Sequence, residues 1–304
     1  MATDTAAWDA YWQDRREDGA KALTGIEHDA ELEAFWTNAL QAQDKSAPFL
    51  DLACGAGTVL KTASAQGFTN LHGLDLSPAA INALKQSLPQ VTGQISSATD
   101  TPYSEAEFTT ITSQFGFEYA GPNEAAKEVA RLLAPNGTFV AIVHKSDGAI
   151  HEEVRGHIDH CKTIESSGYI EKAKALFRDV YSGDVDAMNN SIEFMAGARE
   201  QVFGLVIPGR PSIASHLTDG TAQLWDKRAS YALRDIVNWL DGVEAQRASF
   251  QSRMEAMSDA ALSQDDVNSV VETLQGEGLT VAEPESFELG GEPAAWIIRA
   301  TRTA

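Results

Sequence analysis

The run Phe49-Leu50-Asp51-Leu52-Ala53-Cys54-Gly55-Ala56-Gly57-Thr58 decides the fold. Apolar residues surround a single acid, and small residues with two glycines close the run. A short apolar stretch bounded by turn residues reads as a buried strand. Glycine admits unusual backbone angles and lets a ligand approach the main chain closely. A helical pattern begins at Thr58 and stops at Gly67, a residue suited to end a helix. Strand, glycine turn and helix predict the first unit of an open α/β sheet. In such sheets the ligand crevice lies at the carboxyl ends of the strands.

The pattern repeats outward from that run. Leu71-His72-Gly73-Leu74-Asp75 reads as a second strand. Ser77-Pro78 opens a helix, with serine as N-cap and proline at the first helical position. Residues 91–96 and 108–114 read as the third and fourth strands, the latter rich in β-branched residues. A helix over 123–133 and a turn at Pro135-Asn136-Gly137 lead to a fifth strand over 138–144. Strands alternating with helices predict a parallel, doubly wound sheet. Upstream, Trp8, Tyr11, Trp12 and Arg15 share one helical face, and Leu32, Phe35, Trp36, Ala39 and Leu40 repeat the pattern. From Lys145 to about Gly278 the chain reads as helical, with breaks near 204–211 and 218–221. Residues 279–281 and 294–299 read as a closing hairpin across a Glu/Gly-rich connection. The expected organisation is a helical lid over 1–45, an α/β core over 46–144 and 278–304, and a substrate-binding helical cap over 145–277.

Composition narrows the function classes. The 304 residues carry a net charge of −21, spread over both halves. Such a field repels phosphate backbones and anionic membranes, so nucleic acid is not an expected partner. No stretch of about 18 apolar residues occurs, and the first residues lack the basic and apolar regions of a secretory signal. Two cysteines, Cys54 and Cys161, exclude a disulfide framework, and a cytoplasmic setting is expected. The oligomeric state is not legible.

Two cofactor classes use a glycine turn followed by an acid on the next strand. Asp75 stands 18 residues after Gly57, where a carboxylate accepts both hydroxyls of a ribose. A nicotinamide fingerprint needs a third glycine, and Leu60 stands in its place. Asp51, four residues before Gly55, is ill suited to a pyrophosphate and well suited to an ammonium group. The segment DLACGAGT resembles the first motif of the class I S-adenosylmethionine-dependent methyltransferases, and HGLDLSPAAI resembles their second. SSATDTPYSEAEFTTITSQFGFEYA and LLAPNGTFVAIVH are similar to the third-to-fifth-strand region of that family. The resemblance implies a doubly wound seven-stranded Rossmann-like sheet with a C-terminal antiparallel hairpin and a large helical insertion after strand five. It implies S-adenosyl-L-methionine as cofactor. Asp51 would then sit near the methionine amino end and the backbone from Ala53 through Gly55 to Gly57 would line the amino-acid moiety. Asp75 would bind the ribose and Leu76 would pack on the adenine. Ser97 and Ala98 occupy the adenine-edge positions, with serine where many members carry aspartate. The Gln114 carbonyl would accept from the methionine ammonium. The family's Pro-Pro-aromatic loop of amino-methyltransferases is missing from Ser113-Gln114-Phe115-Gly116-Phe117.

The expected reaction is methyl transfer to an O, N or S atom of a small-molecule metabolite. Alternatives are a non-catalytic S-adenosylmethionine-binding regulator and, less favoured, an NAD-dependent oxidoreductase. Methyl transfer from a sulfonium needs alignment and desolvation, and a base only where the acceptor must lose a proton. His144, at the end of strand five, is the candidate base. Tyr11 is a second catalytic candidate, on an aromatic lid with Trp12, since an aromatic face attracts a sulfonium. Glu118 and Tyr119, after strand four, are expected near the acceptor. His157, His160 and Cys161 share one helical face, but no further ligand cluster accompanies them, and no metal is expected.

Overall fold

The structure is a computed structural model and describes Trp12 and residues 29–304. Tyr11, Trp8, Arg15 and most of the expected lid lie outside the described residues. The chain divides into two compact units, one of residues up to Glu153 and from Ala256 on, the other Val154–Glu255.

The first unit is built on one sheet of eight strands. They are β1 (Phe49–Leu52), β2 (Leu71–Asp75), β3 (Thr92–Ile95), β4 (Phe108–Gln114), β5 (Leu133–His144), β6 (Thr280–Val281), β7 (Glu285–Leu289) and β8 (Glu292–Thr301). The order is β3-β2-β1-β4-β5-β8-β6, with β7 on β8. The first five strands are parallel, and β8 enters antiparallel beside β5, pairing His144 with Ala295 and Thr138 with Thr301. The central strands are sealed on both faces: every residue of β1 is buried. That explains a continuous apolar run without polar alternation. Leu50, Leu52, Phe108 and Phe139 join a core with the helices Pro122–Leu132 and Gln264–Gly276. Phe49 points to the other face, its ring 5.3 Å from that of Phe68.

The fold class is the one expected, with three differences. Seven strands were expected and eight are present, because the connection in the hairpin holds β7. Its signal was the pair Gly290-Gly291, both left-handed with φ of 61° and 83°, joining Leu289 to Glu292 as a two-residue hairpin turn. The expected helix break at 218–221 is absent, since one helix runs Ile213–Asp226. Thr218 and Thr221 donate their hydroxyls to the Ala214 and Leu217 carbonyls, one turn back, so they stay within the helix. The expected cap, 145–277, is longer than the compact helical unit. Helix Gln264–Gly276 buries Val267, Val270 and Leu274 in the core of the sheet instead.

The helical unit contains the helices Tyr169–Ser182, Val185–Phe203 and Ile213–Asp226, with the inner parts of Ala149–Ser167 and Leu233–Ala260. Its interior buries Phe177, Leu217, Ile236 and Leu240, together with Arg247, whose guanidinium is forked onto Glu244. No helix of the described residues is long and apolar enough to cross a membrane.

Phe139 is wholly buried at the centre of the sheet core. Phe139→Ala is expected to lower unfolding free energy by about 3–5 kcal/mol through lost burial and a cavity. Urea denaturation checks this; a loss under about 1 kcal/mol would place Phe139 outside the cooperative core.

Candidate functional site

β1 delivers Asp51 to a wholly buried position beside β4, where Thr112 is its register partner. The Thr112 hydroxyl donates to Asp51 Oδ1 at 2.7 Å. Burial pushes the Asp51 carboxyl up to about 7; the Thr112 hydrogen bond opposes that rise and the Asp75 charge adds to it. The chain then turns sharply. Ala53, Gly55 and Gly57 take left-handed angles, with φ of 53°, 53° and 85°. Gly57 donates its N–H to the Cys54 carbonyl at 2.8 Å, and helix Thr58–Ala65 starts.

Asp75 closes this turn. Its Oδ2 accepts the Gly55 N–H at 2.9 Å and its Oδ1 accepts the Ser77 N–H at 2.8 Å. The Ser77 hydroxyl caps helix Pro78–Ser87 by accepting from the Ala80 N–H at 3.1 Å. Leu76, next to Asp75, is 46% exposed although it is a large apolar residue at a turn. Ala98 is buried, and Ser97 is occupied locally, its hydroxyl 2.8 Å from that of Thr99. Trp12 lies at the same turn, for a Cβ built on Gly55 would come 2.6 Å from its indole Cζ2.

The loop after β4 forms the opposite wall. Gln114 ends the strand, and its side-chain oxygen accepts the Trp36 indole N–H at 2.6 Å. Phe115 follows in a left-handed conformation, φ 53°, which is strained for a bulky residue. Gly116 packs on Ala53 so closely that a Cβ would overlap the Ala53 methyl. The Ser113 hydroxyl accepts the Phe117 N–H at 3.0 Å and donates to the Leu52 carbonyl at 2.8 Å. A single turn, Phe117–Ala120, then carries Glu118 and Tyr119 towards the end of β5. There Glu118 Oε1 meets His144 Nδ1 at 2.7 Å. The Phe115 ring stacks on the His144 ring at 4.4 Å, and Tyr119 meets it edge-on at 6.0 Å.

The turn gathers two carboxylates and one exposed apolar side chain. Asp75 offers acceptors to hydroxyls, Leu76 offers an apolar surface to a purine, and Asp51 offers a carboxyl to an ammonium group. The sequence reading named these residues but not Thr112, Ser113, Phe115 or Trp36. Thr112 and Ser113 read as ordinary strand residues, and a left-handed phenylalanine has no sequence signature. His157, His160 and Cys161 are on the helix Ala149–Ser167, and among the described residues no group of three side chains is placed to hold a metal.

Residues 50–141 match the model of a methyltransferase domain. This segment, about a third of the chain, is similar to S-adenosylmethionine-dependent methyltransferases. An uncharacterized methyltransferase of Synechocystis sp. is 31% identical over 96 residues, 31% of this chain and 45% of that protein. The chain thus spans less than half of that relative's length. Among solved structures, the geranyl diphosphate C-methyltransferase of Streptomyces coelicolor, in complex with Mg2+, geranyl diphosphate and S-adenosyl-L-homocysteine, is similar over 100% of both chains. Its TM-score is 0.50 at 13% identity. An S-adenosylmethionine-dependent methyltransferase of Mesorhizobium loti covers 87% of this chain and 96% of its own at TM-score 0.44 and 14% identity. The first of these two likenesses is one of fold alone.

The buried Asp51 makes stability pH-dependent. Its native carboxyl holds a proton up to about 7, well above the usual carboxylate range. Between those values the native state binds more protons than the unfolded chain, so this residue's contribution falls as pH rises. Asp51→Asn keeps an acceptor for Thr112 and removes that titration. Its stability relative to wild type is expected to grow from pH 4 to about pH 7, measured by denaturation across that range. A pH-independent difference would show that Asp51 stays ionised.

Proposed function

We propose that the chain transfers a methyl group from S-adenosylmethionine to an O, N or S atom of a small-molecule metabolite. The observation that supports this best is the arrangement at Asp75: one carboxylate holding the Gly55 turn and the Ser77 helix start, beside an exposed Leu76. Asp51, Ala53, Gly55 and Gly57 would hold the amino-acid end of the cofactor, with the Gln114 carbonyl. Asp75 would hold the ribose, and Leu76, Ser97 and Ala98 the adenine. The bound cofactor supplies an activated methyl on a positive sulfur, with a neutral thioether as leaving group. The chain's task is to align the acceptor with that methyl, exclude water and take a proton where the acceptor carries one.

His144 is proposed as the proton acceptor. It ends β5, is buried, and keeps one ring nitrogen without a hydrogen bond. Tyr11 and Trp12 are proposed as aromatic contacts to the sulfonium and the acceptor, Glu118 and Tyr119 as lining on the acceptor side. The helical unit Val154–Glu255, within the expected 145–277 segment, is part of the same proposal, as the substrate-binding portion of the chain. The net charge of −21 favours neutral or cationic acceptors over polyanionic ones. The Streptomyces enzyme's named substrate is a diphosphate methylated on carbon, so carbon acceptors belong in any screen.

Calorimetry with S-adenosylmethionine, S-adenosylhomocysteine and NAD tests the cofactor, and a labelled-methyl screen against a metabolite extract tests the transfer. Binding of the first two without NAD is expected, and tight binding of NAD would overturn the reading. Asp75→Ala is expected to weaken S-adenosylmethionine binding by about 1.5–3 kcal/mol, the scale of lost charged hydrogen bonds. Unchanged affinity in that titration would remove the ribose assignment.

A further inference from the structure

Glu118 is 3% exposed, and among the described residues the basic side chain in contact with it is the imidazole of His144. Among the described residues both of its hydrogen bonds come from one residue. The His144 backbone N–H donates to Oε1 at 3.0 Å and the ring Nδ1 meets the same oxygen at 2.7 Å. The other oxygen, Oε2, is sealed from solvent and has no partner. A buried carboxylate in that state costs several kcal/mol unless a positive charge arrives beside it. Among the described residues, the group paired with it that can become positive is the His144 imidazole.

An ionised carboxylate accepts and cannot donate, so the proton of a neutral ring must lie on Nδ1. Nε2 then carries the lone pair. Among the described residues no hydrogen bond reaches Nε2. The Phe115 ring, stacked at 4.4 Å and 29°, and Tyr119, edge-on at 6.0 Å, oppose rotation of the imidazole about its bond to the chain. The bond to the His144 backbone N–H fixes Glu118 itself, and the Phe117–Ala120 turn holds its main chain.

We propose that Glu118 is a positioning residue: it fixes His144 as a neutral base with its proton on Nδ1 and its lone pair on Nε2, and neutralises the imidazolium formed during transfer. This deepens the methyltransferase reading and rests on it. The acceptor is thereby a group X–H, a hydroxyl, thiol or protonated amine. As X bonds to the methyl carbon, the carbon–sulfur bond breaks with its electron pair going to sulfur. The proton of X–H passes to Nε2 and leaves later to water. The carboxylate does not take the proton; it keeps the ring in one tautomer and supplies the opposing charge.

Nitrogen-15 NMR of the histidine rings, at alkaline pH where the imidazole is neutral, reads the tautomer without any substrate. Wild type is expected to show His144 protonated on Nδ1. Glu118→Ala removes the acceptor and is expected to move the proton to Nε2. Glu118→Gln keeps an oxygen facing both N–H groups, so the tautomer is expected to persist while the negative charge is lost. With labelled S-adenosylmethionine and the metabolite extract as acceptor, both variants are expected to lose on the order of 10²-fold or more in rate. Their S-adenosylmethionine affinity by calorimetry is expected to stay unchanged. A purely structural clip would leave the Gln variant at wild-type rate, which overturns the proposal. So does a wild-type ring protonated on Nε2. Should the Ala variant fail to fold, the wild-type spectrum and the Gln variant decide the matter. If wild type does not bind S-adenosylmethionine, the cofactor reading fails, whereas the ring tautomer still tests the pair by itself.

Discussion

The carboxylate of Asp75 joins the two turns from which the site is built. One oxygen accepts the Gly55 N–H and the other the Ser77 N–H, at 2.9 and 2.8 Å. Hydrogen bonds to an ionised acceptor are shorter and stronger than neutral ones. They pin Gly55 in its left-handed conformation and set the start of helix Pro78–Ser87. A carboxylate oxygen can accept more than one hydrogen bond, so organising the turns does not by itself bar the group from accepting ligand hydroxyls. In the proposed site, cofactor recognition and local architecture would therefore share one side chain. Its replacement disturbs the backbone geometry as well as removing a contact.

The rest of the crevice is backbone held under strain. Ala53 and Phe115 are both left-handed without being glycine, each at a cost of about 1–3 kcal/mol. They end adjacent strands, β1 and β4, and their loops touch where Gly116 packs on Ala53. Only a residue without a side chain fits at Gly116. The two loops are tied by hydroxyls from inside the sheet: Thr112 to Asp51, and Ser113 to the Leu52 carbonyl and the Phe117 N–H. Small β-strand hydroxyls thus do the work that longer polar side chains do in open sites. The strain is sustained because these bonds lie in the low-dielectric interior, where each is stronger than in water.

Legibility in the sequence followed the range of the interactions. β1, β4 and the serine-capped helix after β2 are local objects, set by apolar runs, β-branched residues and a cap, and the chain shows them at those positions. β7 was hidden because ESFEL alternates on a mostly exposed edge and is short. Its pairing depends on a partner later in the chain. Asp51, Gly55 and Asp75 were legible because chemistry and spacing coincide in one motif. The tie between Glu118 and His144 was not, since 26 residues separate them and nothing in either neighbourhood signals the other. Helix Gln264–Gly276 shows the same limit. Its apolar face is plain in sequence, whereas its choice of the sheet core over the helical unit is a tertiary decision.

One substitution separates this crevice from a dinucleotide site more firmly than the count of glycines suggests. Where a pyrophosphate fingerprint has its third glycine, for close packing of helix on strand, this chain has Leu60, fully buried. The close approach is still made, but the missing side chain is on the strand. A Cβ at Gly73 would come 2.8 Å from the Leu60 methyl and 2.9 Å from the Cys54 sulfur. Helix and strand have exchanged the roles of large and small partner, so the packing requirement is met with no glycine left on the helix. Charge completes the distinction. Burial raises the cost of ionising Asp51, and the nearby Asp75 charge adds to it. A pyrophosphate would add further negative charge there, at an energetic loss that grows as the site dries. In the proposed site, a ligand with an ammonium group would relieve Asp51, while its ribose hydroxyls would donate to Asp75. In the proposed site, the electrostatics of the turn, more than its shape, would favour the cation-bearing cofactor.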